Sequence, residues 1–232
     1  MSLRVMAVSG LAAAGLLLTM PAAQAVTSPL PTPAQLTGTQ LASRLLPPSS
    51  FPSGYKIVKS GTYNSGGRLE RGPVKHHLPA FSCKRYIVNG LPETGFGETA
   101  TAGDIIGAGK QFYVQTAFQF ASSRQATAFY RQLYALTARC RTVTASFQGT
   151  VRLTTQSLKK THLGTLPAFL AKQTLSATGL FTTINDTLAT VSGRDVVIID
   201  AAGQKVPAKP ALRTAVRDLV ARILHFTPRV PA

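Results

Sequence analysis

Tryptophan is absent from this 232-residue chain, and acids, cysteine and methionine are scarce: eight Asp plus Glu, two Cys and three Met. Each shortage excludes something. Two cysteines exclude a disulfide-dense mini-protein and a multi-Cys zinc module. Few acids and no Trp leave little from which to build the carboxylate pair and aromatic platform of a glycosidase. No apolar run of bilayer length occurs in the body of the chain, which excludes a polytopic membrane protein. What is present is a hydrophobic fraction of 44%, too high for a disordered chain, with 25 Lys plus Arg giving a formal net charge of +17. The length suits one ordinary domain with a real core, or at most two small ones.

Residues 1–25 read MSLRVMAVSGLAAAGLLLTMPAAQA. Arg4 supplies a positive start, Val5 to Met20 an apolar run, and Ala23-Gln24-Ala25 a small-x-small cleavage pattern, so a signal peptide cleaved after Ala25 is expected. An uncleaved anchor helix is the alternative, but the run is short for a bilayer span. No cysteine precedes Cys83, so a lipobox is lacking and the product is expected to be secreted rather than a lipoprotein. Residues 26–35, opening VTSPLPTP, read as a Pro-rich tether. Outside the cytoplasm Cys83 and Cys140 are expected to form a disulfide, worth about 4 kcal/mol on the chain-entropy model. Two free thiols or half a metal site are the alternatives.

Along the chain, 36–46 reads as a short helix stopped by Pro47-Pro48. Tyr55 to Val58 reads as a short strand, and the Gly- and Thr-rich stretch 90–109 as a loop or weak edge strand. Lys110 to Phe120 alternates Phe112, Val114, Thr116, Phe118 and Phe120 with Tyr113, Gln115, Ala117 and Gln119, a strand with one apolar face. A helix follows from Ser122 or Ser123 to about Arg139, its buried stripe formed by Ala126, Phe129, Leu133, Leu136 and Cys140. Strands are expected over 142–157 (turning at Gly149), 167–177, 181–191 and 195–200. The continuous run Val196 to Ile199 is expected to be covered on both faces. Ala211 to His225 reads as a closing amphipathic helix, with Leu212, Val216, Leu219, Val220 and Ile223 inward and Arg213 and Arg217 outward. This order predicts an α+β fold, a single domain whose antiparallel β-sheet carries helices packed on one face.

Four stretches carry a resemblance: LASRLLPPSSFPSGY at 41–55, Cys83, VQTAFQFASSRQATAFYRQLYALTARC at 114–140, and RTVTAS at 141–146. Together they resemble the PknH-like sensor domain family, the extracytoplasmic domain of an actinobacterial receptor kinase and its free-standing exported relatives. In that family an aromatic-rich strand runs into a Ser/Ala-rich helix start, and the Cys ending the helix bonds to an earlier one. The resemblance covers 36–226, leaving 227–232 as a tail. The second disulfide of the kinase member and the Trp common before the helix Cys have no counterparts here. The resemblance implies a sheet with helices packed on it and a cleft for an unidentified ligand.

Residues that could carry chemistry are sparse. Glu93 and Glu98 could serve as a general acid and base, but lie in a stretch read as a surface loop. His76-His77 is a vicinal pair, yet adjacent side chains in extended backbone diverge, and no chelating spacing accompanies them. There is no G-x-S-x-G elbow, no P-loop and no dinucleotide fingerprint, so no catalytic residue, metal or cofactor is expected. The cationic excess is the most informative feature. Arg68, Arg71, Lys75, Lys159, Lys160, Arg213 and Arg217 are the candidate anion-binding residues. They point to an anionic cell-envelope polymer or an acidic lipid surface. Tyr130 and Tyr134 lie among the cations of one helix, but Phe129 and Leu133 claim its core face and no known module is present, so specific nucleic-acid binding is not expected. The chain reads as an exported, non-enzymatic binding or sensor-like module, the alternative being a secreted hydrolase of unrecognised type that brings a His and a carboxylate together.

Overall fold

A computed structural model describes residues 35–64, 83, 97–146, 150–177, 181–203 and 209–224. The leader, the tether, the tail, Glu93, His76 and His77 lie outside the described residues, as do Arg68, Arg71 and Lys75. The elements run α1 (Gly38–Ala42), β1 (Lys56–Asn64), β2 (Glu98–Ala108), β3 (Gln111–Phe120), α2 (Ser123–Arg139), β4 (Thr142–Ser146), β5 (Thr150–Leu163), β6 (Leu166–Ala177), β7 (Phe181–Ser192), β8 (Asp195–Gly203) and α3 (Lys209–Leu224). The eight strands form one sheet in the order β1-β2-β3-β8-β7-β6-β5-β4, every neighbouring pair antiparallel. After β3 the chain leaves through α2 for the far edge. It returns strand by strand to place β8 against β3.

The helices occupy both faces of the sheet, not one. Phe118, Phe120, Phe169, Ala171, Ala189, Val191, Val196 and Ile198 form one apolar cluster with Ala126, Phe129, Tyr130 and Leu133 of α2. Their alternates Ala117, Ala168, Leu170, Leu188, Val197 and Ile199 join Leu212, Val216, Leu219, Val220 and Ile223 of α3, together with Leu41 of α1 and Leu45, Leu46 and Phe51 after it. The reason is in the central strands. Val196 to Ile199 is apolar at every position, so two covers are needed to remove it from water. Expected stripes agree: all five residues predicted to face inward on α2 are buried, as are all five on α3.

The second cover explains two departures. β3 was expected to have a polar face, yet Gln115 and Gln119 are 0% and 4% exposed. The N-terminal segment lies over them: the Leu46 amide donates to Gln115 Oε1 at 2.9 Å, Gln115 Nε2 donates to the Leu46 carbonyl at 2.8 Å, and the Leu36 amide donates to Gln119 Oε1. Buried amides thus satisfy an irregular stretch of backbone. Residues 98–108, read as loop or weak edge, form an eleven-residue strand inside the sheet. Its small residues let α1 approach. A Cβ added at Gly38 would stand 2.5 Å from the Tyr63 carbonyl and 2.9 Å from that of Thr101, both backbone atoms. Gly38→Ala is therefore expected to lose about 1–3 kcal/mol in urea unfolding.

Candidate functional site: a polar patch on the α2 face

The Cys83–Cys140 disulfide is formed, with the two Cα atoms 5.3 Å apart. Cys140 caps the C-terminus of α2 and is 1% exposed. The next residue, Arg141, accepts from the Thr155 amide at 2.6 Å. The bridge therefore anchors the chain at Cys83 beside β5, on the flank of the sheet face that α2 covers.

That face changes character at one level. The Ile198, Ala189 and Phe169 row is apolar and lies under α2. The next row on the same face, by the two-residue period of a strand, runs from Asp200 to Thr187, Ala171 and Leu158. The row after it runs from Ala202 to Asn185, Gln173 and Thr155. Five polar side chains on four adjacent strands thus form a patch, continued on β3 by half-buried Val114 opposite Asp200. At a strand spacing near 4.8 Å it is about 14 Å wide from β8 to β5.

Its internal bonds are few. Thr187 Oγ1 donates to Asp200 Oδ1. Gln173 Nε2, on a residue 3% exposed, donates to Thr155 Oγ1 at 3.1 Å. Asn185 Oδ1 is buried and has no hydrogen-bond partner, an expensive state for an amide oxygen. Burial pushes the Asp200 carboxyl up to about 6, with the Thr187 hydroxyl pulling the other way. At neutral pH Asp200 is mostly ionised and accepts only.

Another carboxylate, that of buried Asp195, is on the opposite face and is built into the scaffold. Gln119 Nε2 donates to its Oδ1 at 3.0 Å. Burial raises it to about 6, opposed by that bond and by the charges of Arg44 and Arg194. Arg44, 5% exposed, donates from Nη1 to the Ile223 carbonyl at 3.1 Å, and Arg222 Nε donates back to the Arg44 carbonyl at 2.9 Å. These bonds fasten the N-terminal segment to α3.

The four candidate cations among the described residues do not assemble into one site. Lys159 and Lys160 are adjacent on β5 and so point to opposite faces. Lys160 Nζ stands 5.1 Å from the Tyr134 ring of α2. On the α3 side, Arg213 Nη2 donates to Thr161 Oγ1 at 2.7 Å, and Arg217 pairs with neighbouring Asp218 at 3.2 Å. Among the described residues the hydrolase alternative gains no geometry either. His162 is exposed near the end of β5, three strands from Asp200 and beyond the level of Leu158. Glu98 is buried at the start of β2.

None of the patch residues was singled out from sequence except Asp200, as one of the eight acids. The available signal was Asn185-Asp186, two poor strand formers side by side in the middle of a strand, and Asp200 directly after an apolar run.

No family model matches the sequence, and no curated protein matches it. Among solved structures, the extracellular domain of PknH from Mycobacterium tuberculosis superposes with a TM-score of 0.57 at 18% identity, over 81% of this chain and 96% of that one. An uncharacterised protein from Mycobacterium smegmatis, an Rv0999 ortholog, matches at a TM-score of 0.36 and 12% identity over 75% and 90% of the two chains, too loosely to carry an argument. The antiparallel sheet, its helices and the coverage of nearly all of the PknH domain establish that this chain has the PknH-like sensor domain fold.

Proposed function

We propose that this protein is an exported, non-enzymatic sensor-like module that holds a small polar ligand on the patch formed by Asp200, Thr187, Asn185, Gln173 and Thr155. One observation carries the reading: a buried Asn185 oxygen without a partner near the half-buried Asp200 carboxylate, on the sheet face whose next row is apolar. Polar groups placed against folding stability are what a binding site retains. Export is supported by the leader-like first 25 residues, by a disulfide that fits an oxidising compartment, and by the likeness to a domain that is itself extracellular. Among the described residues no helix is long and apolar enough to cross a membrane.

The charge of +17 plays a separate part in this reading. It draws the module toward anionic envelope polymers or acidic headgroups by long-range attraction that salt screens, without a pocket for the anion. A screen of small polar fragments by amide NMR tests the proposal. Hits are expected to shift the side-chain amides of Asn185 and Gln173 and the backbone amide of Thr187. Hits that gather elsewhere and leave these resonances still would refute it.

A further inference from the structure

We infer that the ligand of this patch is an uncharged, polyhydroxylated molecule of the saccharide type, bound through its hydroxyls. The inference rests on the reading above that the patch is a ligand site, and it follows from what the patch leaves unsatisfied. Part of the patch is already paired: Thr187 gives its proton to Asp200, and Gln173 gives one of its two amide protons to Thr155, which leaves the other, the Thr155 hydroxyl proton and the Asn185 amide protons to donate. Asn185 Oδ1 lacks a donor altogether. A carboxylate has lone pairs for several donors, and Thr187 Oγ1 keeps its accepting capacity. The complement of such a surface is a molecule whose groups each donate and accept, as hydroxyls do.

Charge narrows the class further. An anion would face the Asp200 carboxylate at close range in a poorly hydrated setting, where like charges repel strongly. A cation would suit Asp200 locally, but must approach through the field of a chain carrying +17. An uncharged donor meets neither barrier. From β8 to β5 the patch spans about 14 Å, the length of one to two sugar rings. Half-buried Val114 and Leu158 border it, giving the C–H edges of a ring apolar contacts without a tryptophan platform.

The test uses the full chain, isotopically labelled, and three sets of ring-matched probes. These are neutral sugars (glucose, galactose, mannose and arabinose), glucosamine as the cation and glucuronate as the anion. At least one neutral sugar is expected to shift the Asn185 and Gln173 side-chain amides saturably and more tightly than either charged probe. Asn185→Leu is expected to weaken that binding about tenfold through loss of a buried acceptor. Asp200→Asn, which keeps an acceptor oxygen but removes the charge, is expected to change it by only about threefold. Unshifted resonances outside the patch show that each variant is folded, and Thr187→Val serves as a second variant if Asn185→Leu is not. If glucosamine or glucuronate shifts the patch and the neutral sugars do not, the ligand class is wrong while the patch remains a binding site. If all three sets leave the patch silent, the polyhydroxylated ligand is refuted, and the fragment screen decides the site on its own.

Discussion

Replacing both Cys83 and Cys140 with Ser is expected to lower the unfolding free energy by about 4 kcal/mol, the largest single effect anticipated here. The bridge spans 57 positions, and releasing a loop of that length restores much conformational freedom to the unfolded chain. The measurement is urea unfolding of the double variant against the wild type. A larger slope against denaturant should accompany the loss, because an uncrosslinked chain exposes more surface when it unfolds. A loss below about 1 kcal/mol would mean that the loop closed by the bridge stays compact after unfolding. Because Cys140 caps α2 and Arg141 is bonded to Thr155, the same variant should also alter the flank of the patch. Ligand affinity is therefore expected to fall even under conditions where the double variant remains folded.

The second large effect is a gain. Asp200 is raised to about 6 from a usual value of 3.8, so the folded protein holds this proton more tightly than the unfolded chain. The stabilisation is complete below the unfolded value and disappears as pH rises through about 6. Stability thus falls across this window, by about 3 kcal/mol for a shift of this size. Asp200→Asn removes the ionisation. The variant is expected to be more stable than wild type at pH 7.5 by roughly that amount, equal to it near pH 4, and flatter in between. Asp195, also raised to about 6, contributes its own slope in both proteins and acts as an internal reference. Thermal unfolding across pH 4 to 8 reads the difference directly. A variant that loses stability at pH 7.5 would show that the Asp200 charge supports the fold.

Much of the scaffold can be read from periodicity. The α2 stripe, the α3 stripe and the doubly covered β8 all follow from the spacing of apolar residues, because burial is what that spacing encodes. β2 escapes such reading. Its Ala100, Ala102 and Gly103 give a weak strand signal, and the two alanines are small where α1 packs close to the sheet and a side chain at Gly38 would collide with β1 and β2 backbone. The buried glutamines of β3 escape for a related reason. Alternation marks them as polar and cannot tell water from the N-terminal segment that bonds to them. Placement of helices on opposite faces is likewise invisible until the connection through α2 is traced.

The patch is the least legible part. Asn185 and Asp200 are 15 positions apart in the sequence and on different rows of the sheet, and they share a face only because β7 pairs with β8 in one register, Thr187 opposite Asp200. The basic residues show the converse. Lys159 and Lys160 are neighbours in sequence, and β-structure sends them to opposite faces. Composition revealed the charge but not its geometry.

The claim that the patch exists for binding is tested most directly by one doubly substituted protein, Thr187→Val with Asp200→Val, in which stability and probe binding are measured on the same sample. Both replacements are β-branched and suit a half-buried strand. The account predicts higher stability than wild type at pH 7.5, together with loss of the shifts that fragments and neutral sugars induce at Asn185 and Gln173. A protein that is destabilised, or that binds as before, would contradict it.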